Sequence, residues 1–231
     1  MLRKTKGIVI SYIKYRETSI IVRIFTRDLG LKTYLVNGVR REKSKLKMAF
    51  YQPLSLLELV VYDREGASMN RISETKLAYA FQRIPFDFYR SGVAMFMGEV
   101  IGKAIYDNYQ NEKLFDFVQD SVIYLDEEHA NLSVYPLAFL LRLSTFLGFA
   151  PASAGEFFEQ MQQGIGHFAV DEEEKYHLDQ LLLSPFDSPL RIPKGIRKRL
   201  LDDLLLFYKL HLDTFSEVKS HKVLSQIMHG G

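Results

Sequence analysis

Along roughly the first seventy-five positions the apolar residues recur every second place, and from Pro85 onward every third or fourth, so the architecture changes between those points. In the first stretch Ile8, Ile10 and Tyr12 alternate with Val9, Ser11 and Ile13, giving a strand with two apolar faces. Ile20, Val22 and Ile24 share one face of a second strand, with Ile21, Arg23 and Phe25 on the other. Arg27-Asp28-Leu29-Gly30 reads as a tight turn with Gly at its fourth position. A third strand sets Leu31, Thr33 and Leu35 opposite Lys32, Tyr34 and Val36. After a basic loop and Pro53, Leu54 to Tyr62 predicts a fourth strand, Asp63-Arg64-Glu65-Gly66 a turn, and Met69 to Thr75 a weaker fifth. Five short strands in so small a span predict a closed barrel, which leaves no open sheet edge.

The helical period predicts helices over Pro85–Asn108, Lys113–Leu125, Pro136–Leu147 and Glu172–Leu183. Another starts near Pro193 and runs through Leu210, and a last one spans Ser216–Met228. Positions 148–166, with several Gly and Ala, read as an irregular connection. The expected chain is therefore α+β with two domains: a five-stranded barrel over 1–79 and an all-α domain over 80–231.

Charge sharpens the division. Residues 1–80 carry sixteen Lys/Arg against seven Asp/Glu, and the remainder fourteen against twenty-one, which hides +9 and −7 behind a net +2. One half is suited to an anionic partner and the other is not. With no cysteine in 231 residues, disulfides, thiolate catalysis and cysteine-bound zinc are excluded. No signal peptide is visible, and the most apolar stretch, Pro136–Pro151, is too short to span a bilayer and contains Arg142. A cytoplasmic protein is expected.

The densest basic segment is Gly38-Val39-Arg40-Arg41-Glu42-Lys43-Ser44-Lys45-Leu46-Lys47, five cations against one carboxylate between the third and fourth strands. Such cations on a loop or short helix, with Gly38 and Ser44 as further donors, suit phosphate. Lys14 and Arg16 sit in the loop between the first two strands, and Arg3, Lys4 and Lys6 precede the first. Arg23, Phe25, Lys32 and Tyr34 are expected on one face of strands two and three, where OB-fold barrels hold single strands by stacking and backbone tracking. For Phe25 and Tyr34, core packing is the competing reading, and for the basic loop it is a plain solvated surface.

Catalytic patterns are missing: there is no GxxxxGK[ST], GxSxG or HExxH. Asp202-Asp203 diverge around a helix, Asp171-Glu172-Glu173-Glu174 suit a helix start, and the histidines are scattered. No enzymatic activity, cofactor or metal is expected.

An ordered series of short matches resembles the RecO family. It runs through Gly7-Ile8-Val9, Tyr15-Arg16-Glu17-Thr18-Ser19, Phe25-Thr26, Gly30, Gly38-Val39-Arg40-Arg41, Lys43-Ser44-Lys45, Gln52-Pro53-Leu54 and Leu57-Glu58-Leu59. Beyond residue 80 it thins to Glu99 and Leu147-Gly148-Phe149-Ala150-Pro151. The resemblance implies an OB-fold followed by a helical domain. It implies binding and annealing of single-stranded DNA in repair, and help in loading the recombinase onto DNA coated by single-stranded-DNA-binding protein. It also implies partnership with RecR and with the coating protein's carboxy-terminal tail, whose acidic and apolar character a helical groove with Arg142, Arg197, Lys198 or Arg199 would suit. Of the cations above, the family pattern covers Arg40, Arg41, Lys43 and Lys45; Lys14, Arg16, Arg23, Lys32, Tyr34 and Lys47 are added from their positions alone. Many relatives carry a four-cysteine zinc site after the Gly-Phe-Ala-Pro segment. Here the residues are Ala152-Ser153-Ala154-Gly155-Glu156-Phe157, so apolar contacts from Phe157, Phe158 and Phe168 are expected to replace the metal. An RNA-binding OB protein, an interaction scaffold and a carboxylate nuclease remain the alternatives.

Overall fold

The computed structural model describes residues 1–40, 45–64, 66–166, 168–221 and 224, and for Lys45 and Leu46 the backbone only. The strands are β1 (Leu2–Tyr15), β2 (Ser19–Thr26), β3 (Gly30–Val36), β4 (Leu56–Tyr62) and β5 (Asn70–Leu77). They close a barrel in the order β1-β2-β3-β5-β4, with β1 returning to β4 and only β3–β5 parallel. This is an OB-fold. β1 serves two neighbours by being long. Its first half pairs with β4 and its second with β2, with a bulge between Val9 and Ser11. At the hand-over a Cβ on Gly7 would lie 2.6 Å from the Ile24 side chain and 2.7 Å from that of Leu59, so any larger residue would force these core side chains to move. Because β1 starts at Leu2, Arg3, Lys4 and Lys6 lie within the strand rather than ahead of it.

The barrel interior is filled by Val9, Ile20, Val22, Ile24, Leu57 and Leu59. A short helix α1 (Lys45–Ala49) lies in the β3–β4 connection. Six longer helices follow among the described residues: α2 (Phe88–Ala104), α3 (Glu112–Asp126), α4 (Tyr135–Leu147), α5 (Ala154–Ile165), α6 (Glu172–Leu183) and α7 (Lys194–His211). α2 starts three residues after Pro85, because the Asp87 carboxylate accepts from the amides of Tyr89 and Arg90 and fixes the boundary. α4 ends where Gly148 turns left-handed at φ 86°.

The expected irregular connection over 148–166 is corrected by α5. Its start is capped by Ser153 Oγ, which accepts from Glu156 N, and Ala154, Phe157, Phe158 and Met161 form one buried helical stripe. Phe157 meets Phe207 of α7 at 4.7 Å, and Phe158 approaches Phe168 at 6.1 Å between ring centres. Apolar packing thus holds this region together. The helix expected over Ser216–Met228 is not formed at 215–218, which lack regular structure, and most of its later part lies outside the described residues.

Barrel and helices share a core. Ile8, Ile10, Phe25, Leu31, Leu54 and Leu56 belong to the same buried cluster as the helical side chains, with Phe25 against Phe115 at 5.7 Å. The contact is also polar. Leu31 N donates to Tyr109 O at 3.1 Å and Asn108 N to Leu31 O at 2.8 Å, so the start of β3 pairs with the chain leaving α2. Gly30, at φ +74°, makes room: a Cβ there would stand 2.6 Å from Tyr109 O. Arg27 reaches Asp116 at 2.8 Å and Glu112 at 2.9 Å on α3.

Between α6 and α7 lies a carboxylate-rich seam. Buried Glu174 is engaged by Arg199, which also reaches Asp171 at 2.9 Å. Burial, aided by Glu174 and Asp202 and opposed by Arg199, pushes the Asp203 carboxyl up to about 7. Its folded value thus lies above its unfolded one, so the chain loses stability as pH rises from about 4 to about 7. Asp203→Asn removes that dependence. In denaturant titrations its advantage over the wild-type chain should grow by on the order of 2 kcal/mol across that window and level off above it. A pH-independent difference would reject this account.

Candidate nucleic-acid interface

Two of the basic segments converge at one end of the barrel. The β1–β2 loop holds Arg16 at φ 51°, a left-handed conformation uncommon for a side chain of this size. Arg40 sustains it: its Nη1 donates to Arg16 O at 3.0 Å and its backbone N–H to Thr18 O at 3.0 Å. The Arg16 guanidinium lies 5.2 Å from the centre of the Tyr15 ring. Lys14, Arg16 and Arg40 are all exposed, and none has a carboxylate within ion-pair reach among the described residues. Positions 14–16 and 40, far apart in sequence, therefore make one cationic rim. Strained backbone of this kind persists where surrounding structure over-determines it, as Arg40 does here.

Lys47 is exposed on α1 and borders a cleft of about 290 Å³ where β3 and β5 splay apart, with Phe50 and Arg71 beside it. Arg41 and Lys43 lie outside the described residues, and of Lys45 only the backbone is described.

The stacking face expected from Arg23, Phe25, Lys32 and Tyr34 does not exist as one face. Arg23 pairs with Thr33 and Phe25 with Leu31, whereas Lys32 pairs with Ile24 and Tyr34 with Val22. Cross-strand partners share a face, so the four residues divide between the two sides of the sheet. Phe25 is fully buried against α3. Tyr34 is 1 % exposed inside the barrel, and burial pushes its hydroxyl up from the ordinary tyrosine value. Its ring has no face for a base, and loss of affinity on changing it would report on barrel packing. Arg23 donates to Asp107 at 3.1 Å and Lys32 to Asn108 at 2.8 Å, so both are engaged with the segment that follows α2.

Tyr15 and Arg71 were not among the residues expected here. Tyr15 had a visible signal, an aromatic beside Arg16 at a strand end; Arg71 had none, because only the register places it beside Leu35.

In the helical region, Arg142 edges a cavity of about 150 Å³ floored by Ala138, Leu141 and Leu182, and donates to Ser184 O at 2.9 Å. Arg199 is committed to Glu174 and Asp171, so it is not available to a partner's carboxylate. Arg197 is half-buried, which lowers its pKa, and Lys198 is exposed. Among the described residues no three His, Asp or Glu stand close enough to hold a metal, and no helix is long and apolar enough to cross a membrane.

Residues 1–81 match the family described as Recombination protein O N terminal, and residues 85–220 the family described as Recombination protein O C terminal. Among similar proteins is a DNA repair protein RecO of Flavobacterium johnsoniae, 35 % identical over 97 % of this chain and 98 % of that one. Another is the DNA repair protein RecO of Phocaeicola vulgatus, 33 % identical over 98 % and 99 %. A third, of Bacteroides fragilis, is 32 % identical over the same shares.

Proposed function

The chain belongs to the RecO family, and from that premise we propose that it is a non-enzymatic mediator of DNA repair, which binds single-stranded DNA on its barrel and anneals complementary strands. The observation that carries this reading is the rim of Lys14, Arg16 and Arg40, in which Arg40 holds the β1–β2 loop through the Arg16 and Thr18 carbonyls, next to the densest run of cations in the sequence. Cations without carboxylate partners are the ones that gain most from a phosphate, since no ion pair has to be broken first. The work falls to 1–79 for DNA, with 80–231 supporting the barrel and meeting partners. RecR is one such partner. The acidic, apolar tail of the single-stranded-DNA-binding protein is another, suited to the cavity floored by Leu141 and Leu182 with Arg142 at its edge. Through that contact the chain would help the recombinase displace the coating protein, beside the bacterial chromosome in the cytoplasm.

Annealing of complementary strands coated with the cognate single-stranded-DNA-binding protein, followed by fluorescence, tests the proposal. The full chain should accelerate annealing in proportion to its concentration. Absence of acceleration, together with equal or tighter binding to single-stranded RNA of the same sequence, would favour an RNA-binding protein instead.

A further inference from the structure

The barrel is closed between β3 and β5 by two residue pairs only, Tyr34 with Asn70 and Leu35 with Arg71. β3 ends at Val36 and β5 runs on to Leu77, so from Ile72 onward one edge of β5 has no strand beside it among the described residues. The other edge pairs with β4, and just past its end the Ala78 N–H donates to Leu56 O at 2.8 Å. Bonded and non-bonded pairs alternate along an antiparallel ladder, so Lys76 bonds to Glu58 and Glu74 to Val60. The N–H and C=O groups of Thr75 and Leu77 therefore point to the open edge, where no group among the described residues bonds to them. Side chains alternate as well. Thr75 lies opposite Leu59 of the barrel core, and its hydroxyl meets that of Tyr51 at 2.8 Å. Glu74 and Lys76 thus point outward; both are exposed, and neither has an ion-pair partner among the described residues. A bare strand edge is a template for another strand.

We propose that a second copy of the chain docks on this edge, the two β5 strands lying antiparallel about a two-fold axis at Thr75. Charge complementarity chooses this occupant. Residues 73–77 read Ser-Glu-Thr-Lys-Leu, so with Thr75 opposite its own copy, Glu74 of each chain stands opposite Lys76 of the other. The two Thr75 residues form a hydrogen-bonded pair, since each turns its N–H and C=O to the open edge. The Glu74–Lys76 pairs then occupy the non-bonded positions, where side chains come closest. On the outer face the charges run Lys6, Glu58, Lys76 within one chain, and Glu74 of the second copy continues the alternation. Other registers are opposed. A slip of two residues sets Lys76 against Lys76 or Glu74 against Glu74, and a parallel pairing in register does both. A slip of one residue calls on the backbone groups of Glu74 and Lys76 that β4 already uses. A stable interface covers about 800 Å² on each side, more than one strand edge offers, so the pairing is weak and depends on concentration. On the reading of the barrel as a single-strand binder, the pair carries two rims of Lys14, Arg16 and Arg40 and so holds two strands at once. The pairing itself needs no DNA.

Sedimentation velocity of the full chain without DNA tests this. The weight-average mass should rise from that of one chain toward that of two as the concentration approaches the order of 100 µM. Glu74→Lys and, separately, Lys76→Glu set like charges against each other across the axis. The axis counts each change twice, so either should weaken self-association about tenfold. Both side chains are exposed and point outward, so the variants should keep the circular-dichroism spectrum and melting temperature of the wild type. Mixing the two single variants in equal amounts should restore association, because each offers the charges that the other lacks. A wild-type chain that stays monomeric at this concentration overturns the proposal and leaves the edge open or to a strand of another protein. Single variants that associate as tightly as the wild type overturn it too, since the contact then lies on another face. So does a mixture of folded variants that associates no better than either alone. In each of these cases the reading of the barrel as a single-strand binder stands, because no DNA enters the measurement.

Discussion

Asp126→Ala is expected to lower the unfolding free energy of the full chain by about 3–5 kcal/mol. Asp126 ends α3 and is 1 % exposed, yet its carboxylate faces the segment joining barrel to helices. It accepts from the backbone N–H groups of Gln82 at 2.7 Å, Arg83 at 2.8 Å and Ile84 at 2.7 Å, and from the Tyr79 hydroxyl at 3.4 Å. Those amides belong to no strand or helix, so removal of the carboxylate leaves donors with no regular partner, and the Ile84 amide is buried. Burial alone would push the Asp126 carboxyl up; the amides and the Tyr79 hydroxyl outweigh it and hold the carboxyl below the ordinary carboxylate range. The folded value is the lower one, so this stabilisation is full above the unfolded pKa, near 4, and is lost as pH falls through the folded one. The gap between wild type and Asp126→Ala in denaturant midpoints should therefore shrink on acidification. Asp126→Asn keeps the shape but puts a donor against donors and should recover only part of the loss. A measured cost below about 1 kcal/mol for Asp126→Ala would mean that the segment is held by packing of Tyr79 and Phe81 instead.

The barrel was legible because its signals are local. Alternation in β1 to β3, the Arg27–Gly30 turn and the shift to a helical period each need only neighbouring residues. The errors have specific causes. The start of β1 was placed too late because Arg3, Lys4 and Lys6 read as a polar tail, whereas the pairing of Leu2–Ile8 with β4 pulls them into the sheet. α5 was missed because Gly155 and Gly164 lower helix propensity, while its Phe157–Phe158–Met161 stripe is made helical by packing on α7. Gly164 lets Leu210 pack closely: a Cβ there would stand 2.3 Å from the end of the Leu210 side chain, which would have to turn aside.

The site was legible as composition and not as geometry. That cations cluster in the first eighty residues follows from counting; that Arg40 buttresses the loop of Arg16 depends on two backbone oxygens no pattern reveals. The face expected from Arg23, Phe25, Lys32 and Tyr34 failed on parity. Alternation within a strand says which residues share a side, but the register between β2 and β3 decides which sides coincide.

Replacing Arg40, Arg41, Lys43 and Lys45 together by alanine should remove a large share of single-strand affinity. Release of counterions drives such binding, with a log-log salt slope of about −0.7 per phosphate neutralised on single strands. If the four cations make roughly three contacts, the slope should flatten by about 2 units, and affinity near 0.15 M salt should fall by one to two orders of magnitude, on the order of tenfold to hundredfold. Arg40 has a second role, because its guanidinium also holds the Arg16 carbonyl. A companion variant that keeps Arg40 and changes only Arg41, Lys43 and Lys45 separates the two. It should lose slope in proportion to charge while leaving the β1–β2 loop in place. Restoring the fourth substitution should then cost more than one phosphate contact, since the loop carrying Arg16, just beyond Lys14 in β1, loosens with it. The backbone bond from Arg40 N to Thr18 O survives in both variants, so neither is expected to unfold the barrel. Anisotropy of a labelled oligonucleotide over a salt series reads both quantities at once. A folded quadruple variant with unchanged affinity and unchanged slope would show that this segment is an ordinary solvated surface, and would move the phosphate contacts to the lysines of β1 and β5.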